Sequence, residues 1–343
     1  MAEIDLYLIL IASIGFDLLI GDPQYLFHPV QVIGIYVKKV TNLFIYKFKQ
    51  DSDILFYGGF FISLSTIFLS YLAGKFIEII YFKSMFNNFS VFFLIAGLSS
   101  CLASKSLISS VKEISNLAQN QYSDRAGNKL IIEKVKRIVG RDVDDLSFDD
   151  LLRASTESLT ENSVDGIFAP LFWIFLGTLS IKYSIYFPGP LSLGFAYKAI
   201  STLDSMVGYK DNYYLKLGFF SAKIEDYATF LPCKLVVFTL PLLTNNCKKY
   251  FYIIKKVFKE GSRYESPNAG FSEGVFAHVA GIKLGGESKY NNILIFKPIL
   301  NEKGSNCDVK AINKICILIL KLEFIWVLFF SLIYYFSLNF TPI

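Results

Sequence analysis

Residues 54–73, ILFYGGFFISLSTIFLSYLA, run for 20 positions without a charge. About 20 mostly apolar residues are what an α-helix needs to cross the roughly 30 Å hydrocarbon core of a bilayer. A chain with such a stretch must bury it on all sides or place it in lipid. Composition favours lipid: 53% of the 343 residues are hydrophobic and only 18% charged, with 34 Phe and 21 Tyr. The mean hydropathy is +0.44, whereas soluble domains are about one quarter charged. Residues 324–340 form another apolar segment, and 6–20 is broken only by Asp17; shorter or interrupted ones lie at 89–103, 166–181, 191–203 and 227–244. The expectation is an all-α, polytopic integral membrane helix bundle with about five to seven membrane segments, some tilted or re-entrant. Residues 1–343 are read as a single membrane-embedded domain with helical cytosolic loops.

Glu3 and Asp5 stand where a cleaved signal peptide carries positive charge, so the first helix is read as retained. Five scattered Cys (101, 233, 247, 307 and 316) with no CxxC pair suggest neither a disulfide framework nor a zinc site. With only His28 and His278, a multi-His metal site or a Ser-His-Asp triad is disfavoured. A net charge of +5 is too mild to imply nucleic acid, and no nucleic-acid-binding module is visible.

Polar blocks at about 21–53, 104–165, 204–226 and 245–314 alternate with the apolar ones. The block 104–165 reads as a helical cytosolic insert, with Ser147 as a helix N-cap and Asp149 and Asp150 in the first turn, where the helix dipole favours acids. Residues 248–259, KKYFYIIKKVFK, gather Lys on one side of a helical wheel and Tyr, Phe, Ile and Val on the other. That pattern suits a basic helix lying in the cytoplasmic membrane interface; a solvated face packed on a protein core is the plainer reading.

Four blocks carry candidate chemistry. In LLIGDPQYLFHPVQVIG (18–34), a Gly and two Pro make a turn that holds Asp22 and His28; ordinary helix-end punctuation gives the same pattern. In RASTESLTENSVDGIFAP (153–170), Arg153, Glu157, Glu161 and Asp165 recur every fourth residue and share a helix face. Like charges at that spacing repel by a few tenths of a kcal/mol per pair unless a cation neutralises them. Arg153 serves only the first acid, so Mg²⁺ is the candidate for Glu157, Glu161 and Asp165, with the Asn162 amide beside them. Solvated acids capping the following helix are the alternative. The third block, 196–232, holds Lys198, Asp204, Lys210, Lys223, Glu225 and Asp226 among apolar residues. Both signs of charge near membrane segments suggest a bound anion and cation together, or structural ion pairs between helices. In ESPNAGFSEGVFAHVAGIKLGG (265–286), Ser266 to Gly270 open a small-residue helix whose free N–H groups suit an anion. His278 reads as packed within that helix. No Walker A loop and no GxGxxG is present.

Taken together, GDP…HPVQVIG, GRDVDDL, ESLTENSVDGIFAPLFW, LDSMVGYK and SPNAGFSEG…GIKLGG occur in the order found in one family and span most of residues 18–286. The chain resembles the membrane-bound adenosylcobinamide-phosphate synthases of cobalamin biosynthesis, the CbiB/CobD family. It departs from the family at Lys198, Ser201, Lys223, Glu225, Lys234 and Tyr264. The Lys residues keep the charge of Arg without its bidentate fork.

The resemblance implies an ATP-dependent amide ligation. It would join (R)-1-aminopropan-2-ol phosphate, or the free amino alcohol, to the propionate carboxylate of adenosylcobyric acid, giving adenosylcobinamide phosphate. On that reading Glu157, Glu161 and Asp165, with Asp204, hold Mg²⁺ and the ATP phosphates. Asp22 or Asp226 takes the proton of the attacking ammonium. Lys198, Lys223 and the turn at Ser266 to Gly270 hold phosphate or carboxylate anions, and Asn162, Asn268 and the paired Gly285 and Gly286 complete the substrate-binding set. His28 acts as acid, base or hydrogen-bond partner of the corrin. All four blocks are then expected on the cytosolic face, which requires 227–244 to be re-entrant or interfacial, broken at Pro232 and Pro241. Other membrane-associated corrinoid enzymes or further copies of the chain are implied as neighbours. Two other classes fit the composition: a membrane transporter and a Mg²⁺-dependent membrane prenyltransferase. No inverted repeat or aspartate-rich motif speaks for either.

Overall fold

Long apolar runs punctuated by Gly, Pro and capping residues become helices here, because only helices satisfy the backbone within a single apolar segment. The structure is a computed structural model that describes residues 2–21, 28–48, 51–83, 88–120, 125–208, 214–244, 246–290 and 292–339. In chain order the helices are α1 (Ala2–Ile20), α2 (Pro29–Phe48), α3 (Ser52–Lys83), α4 (Asn88–Ser99), α5 (Ser104–Asn120), α6 (Arg125–Val135) and α7 (Phe148–Ser163). A π-turn (Val164–Phe168) joins α7 to α8 (Ala169–Ser180), followed by α9 (Pro190–Val207), α10 (Tyr214–Leu217) and α11 (Phe219–Thr239). A 3₁₀ turn (Leu240–Thr244) leads to α12 (Cys247–Gly261), α13 (Pro267–Ala280), the strands β1 (Leu284–Tyr290) and β2 (Ile293–Leu300), and α14 (Val309–Asn339).

The fold is mostly helical. Among the described residues, four helical runs are long and apolar enough to cross a membrane: Ser52–Lys83, Phe148–Ser180, Phe219–Thr244 and Val309–Ser337. The count is five if the pair α4 and α5, bent by 44°, is one span. This is the make-up of a polytopic membrane helix bundle. The run ending at Thr244 is not broken at Pro232, which lies inside α11; only near Pro241 does the α-helix give way to a 3₁₀ turn. Pro is tolerated inside membrane helices because neighbouring groups satisfy the freed carbonyl. Among the described residues, the antiparallel β1–β2 pair is an element that the helical reading did not include.

The chain divides into two compact units. The first holds residues 1–105, 169–229 and 327–343. Its core is Ile33, Val37, Leu55, Ile62, Ala199, Leu203, Val207 and Leu217, contributed by α2, α3, α9 and α10. Helix α3 crosses α9 so closely that a side chain at Gly74 would meet the Leu191 carbonyl at 2.6 Å. Small residues permit such backbone approach between apolar helices. Two charges at the end of α3 complete this packing. Glu78 Oε1 accepts the Leu191 and Ser192 N–H groups at 2.8 and 2.9 Å, capping α9. Lys75, 3.4 Å from Glu78, donates to the carbonyls of Ile185 and Phe187. The exposed side of α3 is apolar, with Phe60, Phe61, Leu64, Phe68, Leu72 and Phe76 outward, as lipid requires.

The second unit holds residues 106–168 and 230–326. Here α12 and α13 pack together, α7 packs on α6 and α13, and the hairpin packs on α7, α12 and α13. Ser147 caps α7, its Oγ accepting the Asp150 N–H at 3.2 Å, with Asp149 and Asp150 in the first turn. Helix α13 starts at Ser266 with Pro267 in its first turn and ends at Gly281, φ +81°. This is the asymmetry of Pro at helix starts and Gly just past their ends.

Candidate functional site

In the second unit, the helix that carries the acidic stripe meets the Gly-Gly start of β1. Glu157 is 2% exposed, and both of its oxygens are engaged. Oε2 accepts a hydrogen bond from Arg141, and Oε1 accepts the Gly285 N–H at 2.8 Å. Arg141 also donates to Ser288 Oγ at 2.6 Å. One turn before Glu157, Arg153 donates to the Gly285 carbonyl, to the Glu287 carbonyl at 2.8 Å and to Asp150 Oδ1 at 2.9 Å. It also stands 3.7 Å from Glu157 Oε1. Two guanidiniums and one buried carboxylate therefore hold the outer edge of β1. A buried charge is tolerated when paired and hydrogen-bonded in this way. Gly285 and Gly286 have φ of +81° and +93°, the region open to Gly. A Cβ at Gly285 would also strike the Pro298 carbonyl.

Behind this edge lies a second charged group that the sequence reading did not assign. Glu273, in α13, is fully buried. Its Oε2 accepts the Tyr264 hydroxyl at 3.2 Å, and Lys297 Nζ stands 3.5 Å from Oε1. At that distance the lysine forms an ion pair, and Oε1 has no hydrogen-bond partner among the described residues. Burial pushes the Glu273 carboxyl up; Lys297 opposes the shift, and the nearby charges of Glu157 and Glu161 add to it. Burial alone would lower Lys297, yet Glu273 and Glu161 together hold it above the usual lysine range. Tyr264 is raised by burial and then by the acids Glu273, Glu157 and Glu161. Three glutamates thus share one field, balanced by Lys297 and Arg141.

The other sequence-selected residues of this unit are nearby on the same elements. Glu161 is half-buried on α7; Asn162 is exposed and donates to Ser158 Oγ at 2.9 Å. Asp165 falls in the π-turn, where the angular step widens and the four-residue stripe loses its register. Ser266 is the N-cap of α13, and Asn268 is buried beside it, its carbonyl accepting the Cys233 thiol at 3.4 Å. His278 is packed, as expected, 2.8 Å from Glu260 Oε2. Between α7 and β1 opens a pocket of about 340 Å³ lined by Asp149, Asp150, Arg153, Lys283, Gly286 and Cys307, among others. Burial pushes the Cys307 thiol up to about 12, which disfavours its thiolate.

In the first unit, His28 opens α2, its Nδ1 accepting the Val30 N–H at 3.3 Å. Lys198 and Asp204 are half-buried on α9, and the Asp204 carbonyl accepts the Gly208 N–H at 2.8 Å. Lys223 and Asp226 approach within 3.9 Å on α11. Next to them Thr229 donates to Glu225 and bonds the Tyr197 hydroxyl at 2.8 Å. Asp22 and Lys210 lie outside the described residues. Among the described residues, no three His, Cys, Asp or Glu come together as a metal-holding group. Mg²⁺ does not require one, since one or two carboxylates with phosphate oxygens and water suffice.

Arg141, Glu273 and Lys297 belong to this charged network and were not assigned by sequence reasoning, which noted Tyr264 only as a departure from the family pattern. Arg141 and Glu273 lie inside GRDVDDL and SPNAGFSEG, two motifs already singled out, so the signal was at hand. Lys297 carried none, because its contact depends on the hairpin.

Long apolar helices carrying a buried acid–cation network define a polytopic membrane protein with a charge-rich polar site. The sequence profile of the CobD/Cbib protein family matches residues 10–319. The chain is 38% identical over 299 residues to the cobalamin biosynthesis protein CobD of Synechocystis sp., covering 86% of this chain and 82% of that one. It is 32% identical over 330 residues to the protein of the same name from Clostridium acetobutylicum, covering 94% and 97%. For that of Listeria monocytogenes serotype 4b the figures are 31% over 327 residues, covering 94% and 96%. The chain belongs to the CobD/CbiB family. No solved structure matches it.

Proposed function

We propose that this chain is an adenosylcobinamide-phosphate synthase of cobalamin biosynthesis. It joins (R)-1-aminopropan-2-ol phosphate, or the free amino alcohol, to the propionate carboxylate of adenosylcobyric acid at the expense of ATP. The observation that carries this reading is the family match across residues 10–319.

The chemistry sets the requirements. A carboxylate does not expel oxide, so its oxygen first attacks the γ-phosphorus of ATP and ADP leaves. The amine nitrogen then attacks the acyl carbon, phosphate departs and the nitrogen loses a proton. Phosphoryl transfer needs positioning and charge neutralisation more than covalent help. Glu161 and Asp165 would hold Mg²⁺, which supplies that neutralisation. Glu157, committed to Arg141 and Gly285, instead fixes the hairpin against α7. Asn162, Ser266, Asn268 and the Gly285-Gly286 backbone bind substrate. The family resemblance, rather than the geometry, assigns Lys198 and Lys223 to anionic groups, Asp204 to the phosphates, Asp226 or Asp22 to the ammonium proton, and His28 to the corrin or a proton. The reaction takes place on the cytosolic face, where ATP is available, and other corrinoid enzymes or further copies of the chain are its neighbours in the membrane.

The test is purified protein in detergent, supplied with adenosylcobyric acid, either amine, ATP and Mg²⁺, with the product read by mass. The amide product is expected, with a Glu161→Gln variant of unchanged melting temperature losing at least about 100-fold in turnover. A folded protein that makes no amide from either amine would overturn the reading.

A further inference from the structure

Strand β2 does not alternate as a half-buried strand should. Ile293, Leu294, Ile295 and Phe296 are 66%, 54%, 43% and 68% exposed, so four consecutive large apolar side chains show on both faces. Soluble proteins protect an edge strand of this kind with charge, Pro or a covering element. Three observations indicate what covers it here.

The first is height. Strand β1 is fastened to Arg153 and Glu157, in the opening turns of the helical run Phe148–Ser180. That run has 33 residues, about 50 Å at 1.5 Å per residue, well beyond the roughly 30 Å of hydrocarbon. Its polar Phe148 end therefore projects past the hydrocarbon, and the hairpin is held near the boundary. The second is the neighbour. Strand β2 packs on α12, whose faces do not separate Lys from aromatics as the helical wheel suggested: Ile253 and Val257 are buried, and the exposed face interleaves Lys248, Lys255 and Lys259 with Phe251 and Tyr252, 71% and 54% exposed. Aromatic side chains among lysines suit the headgroup layer of an anionic leaflet, whereas the cores of protein interfaces are depleted of Lys. The third is Pro298, which lacks the N–H that a partner strand would need and weakens the case for pairing with a second copy.

We propose that the β2 side of the hairpin and the outer face of α12 form one membrane-surface contact. Ile293 to Phe296 enter the boundary between headgroups and acyl chains, and the α12 lysines lie on lipid phosphates. This inference is independent of the ligase reading.

The test uses the full chain in lipid nanodiscs of phosphatidylcholine and phosphatidylglycerol. The exposed Cys247 is removed by Cys247→Ser; the other four cysteines are buried. An environment-sensitive fluorophore is placed through Phe296→Cys, or Ile293→Cys as a second position, with exposed Lys303→Cys as the comparison. Shallow spin-labelled lipid is expected to quench the label at 296 at least about threefold more than at 303, as fits a depth of about 5–10 Å. Iodide in the water should show the reverse order. Equal iodide quenching at 293, 296 and 303 would overturn the proposal. So would shielding at 296 that disappears when each nanodisc holds one copy, since that would assign the surface to a second chain.

Discussion

Lys297 and Glu273 form a pair whose members can be removed one at a time. Lys297→Met leaves a fully buried carboxylate with the Tyr264 hydroxyl as its side-chain partner among the described residues, and breaking a buried pair from one side costs about 3–5 kcal/mol. Its thermal midpoint in detergent should fall sharply, and the double variant Lys297→Met/Glu273→Gln should recover most of the loss. A single variant melting like the wild type would remove the pair from the account. Glu260 makes a different prediction. Burial pushes its carboxyl up, but the Asn301 N–H, the His278 ring and the charge of Lys256 outweigh burial and hold it below the ordinary value of 4.5. Its contribution to stability is full above that ordinary value and is lost as the pH falls through the lower folded value. Glu260→Gln should therefore melt below the wild type at pH 7, and the gap should close on strong acidification. A gap independent of pH would contradict the assignment.

Among the elements, those set by local chemistry were legible from sequence. The Ser147 cap, the Pro267 start of α13 and the uncharged core of α3 each rest on neighbouring residues. What failed to show depends on distant ones. Pro232 reads as a break and is not one, because the Ala228 carbonyl that it leaves without a helical donor accepts the Trp173 Nε1–H at 3.1 Å. The hairpin was hidden because β1 begins with two glycines in left-handed conformations and β2 is apolar without alternation. The stripe from Arg153 to Asp165 was read on an ideal α-helix, and the π-turn changed its last member. Glu157 was legible as a special acid but not as the partner of Arg141, 16 residues away. The α3–α9 crossing gives the prediction at this scale. Gly74→Ile would drive a side chain into the Leu191 carbonyl and the Ser192 backbone. Overpacking of this kind costs typically about 1–3 kcal/mol, visible as a lowered melting temperature; no change would mean the helices part more easily than described.

For the molecule as a whole, the ligase reading demands that the acidic stripe and the start of α13 share one side of the membrane. In a Cys247→Ser background, Glu161→Cys and Ser266→Cys should react with an impermeant thiol reagent from the cytosolic side only. Labelling from opposite sides would rule out a common reaction face. The Lys75–Glu78 cap carries a consequence in time. Helix α3 leaves the ribosome before the segment that satisfies its last turns, since Leu191 lies 113 residues after Glu78. At about 5–20 residues per second, that wait is roughly 6–23 s. During it, an acid and a lysine at the end of an apolar helix have no partner from the 185–192 segment and are best kept in water. The final seating of α3 is thus a late event in biogenesis, completed only when α9 arrives.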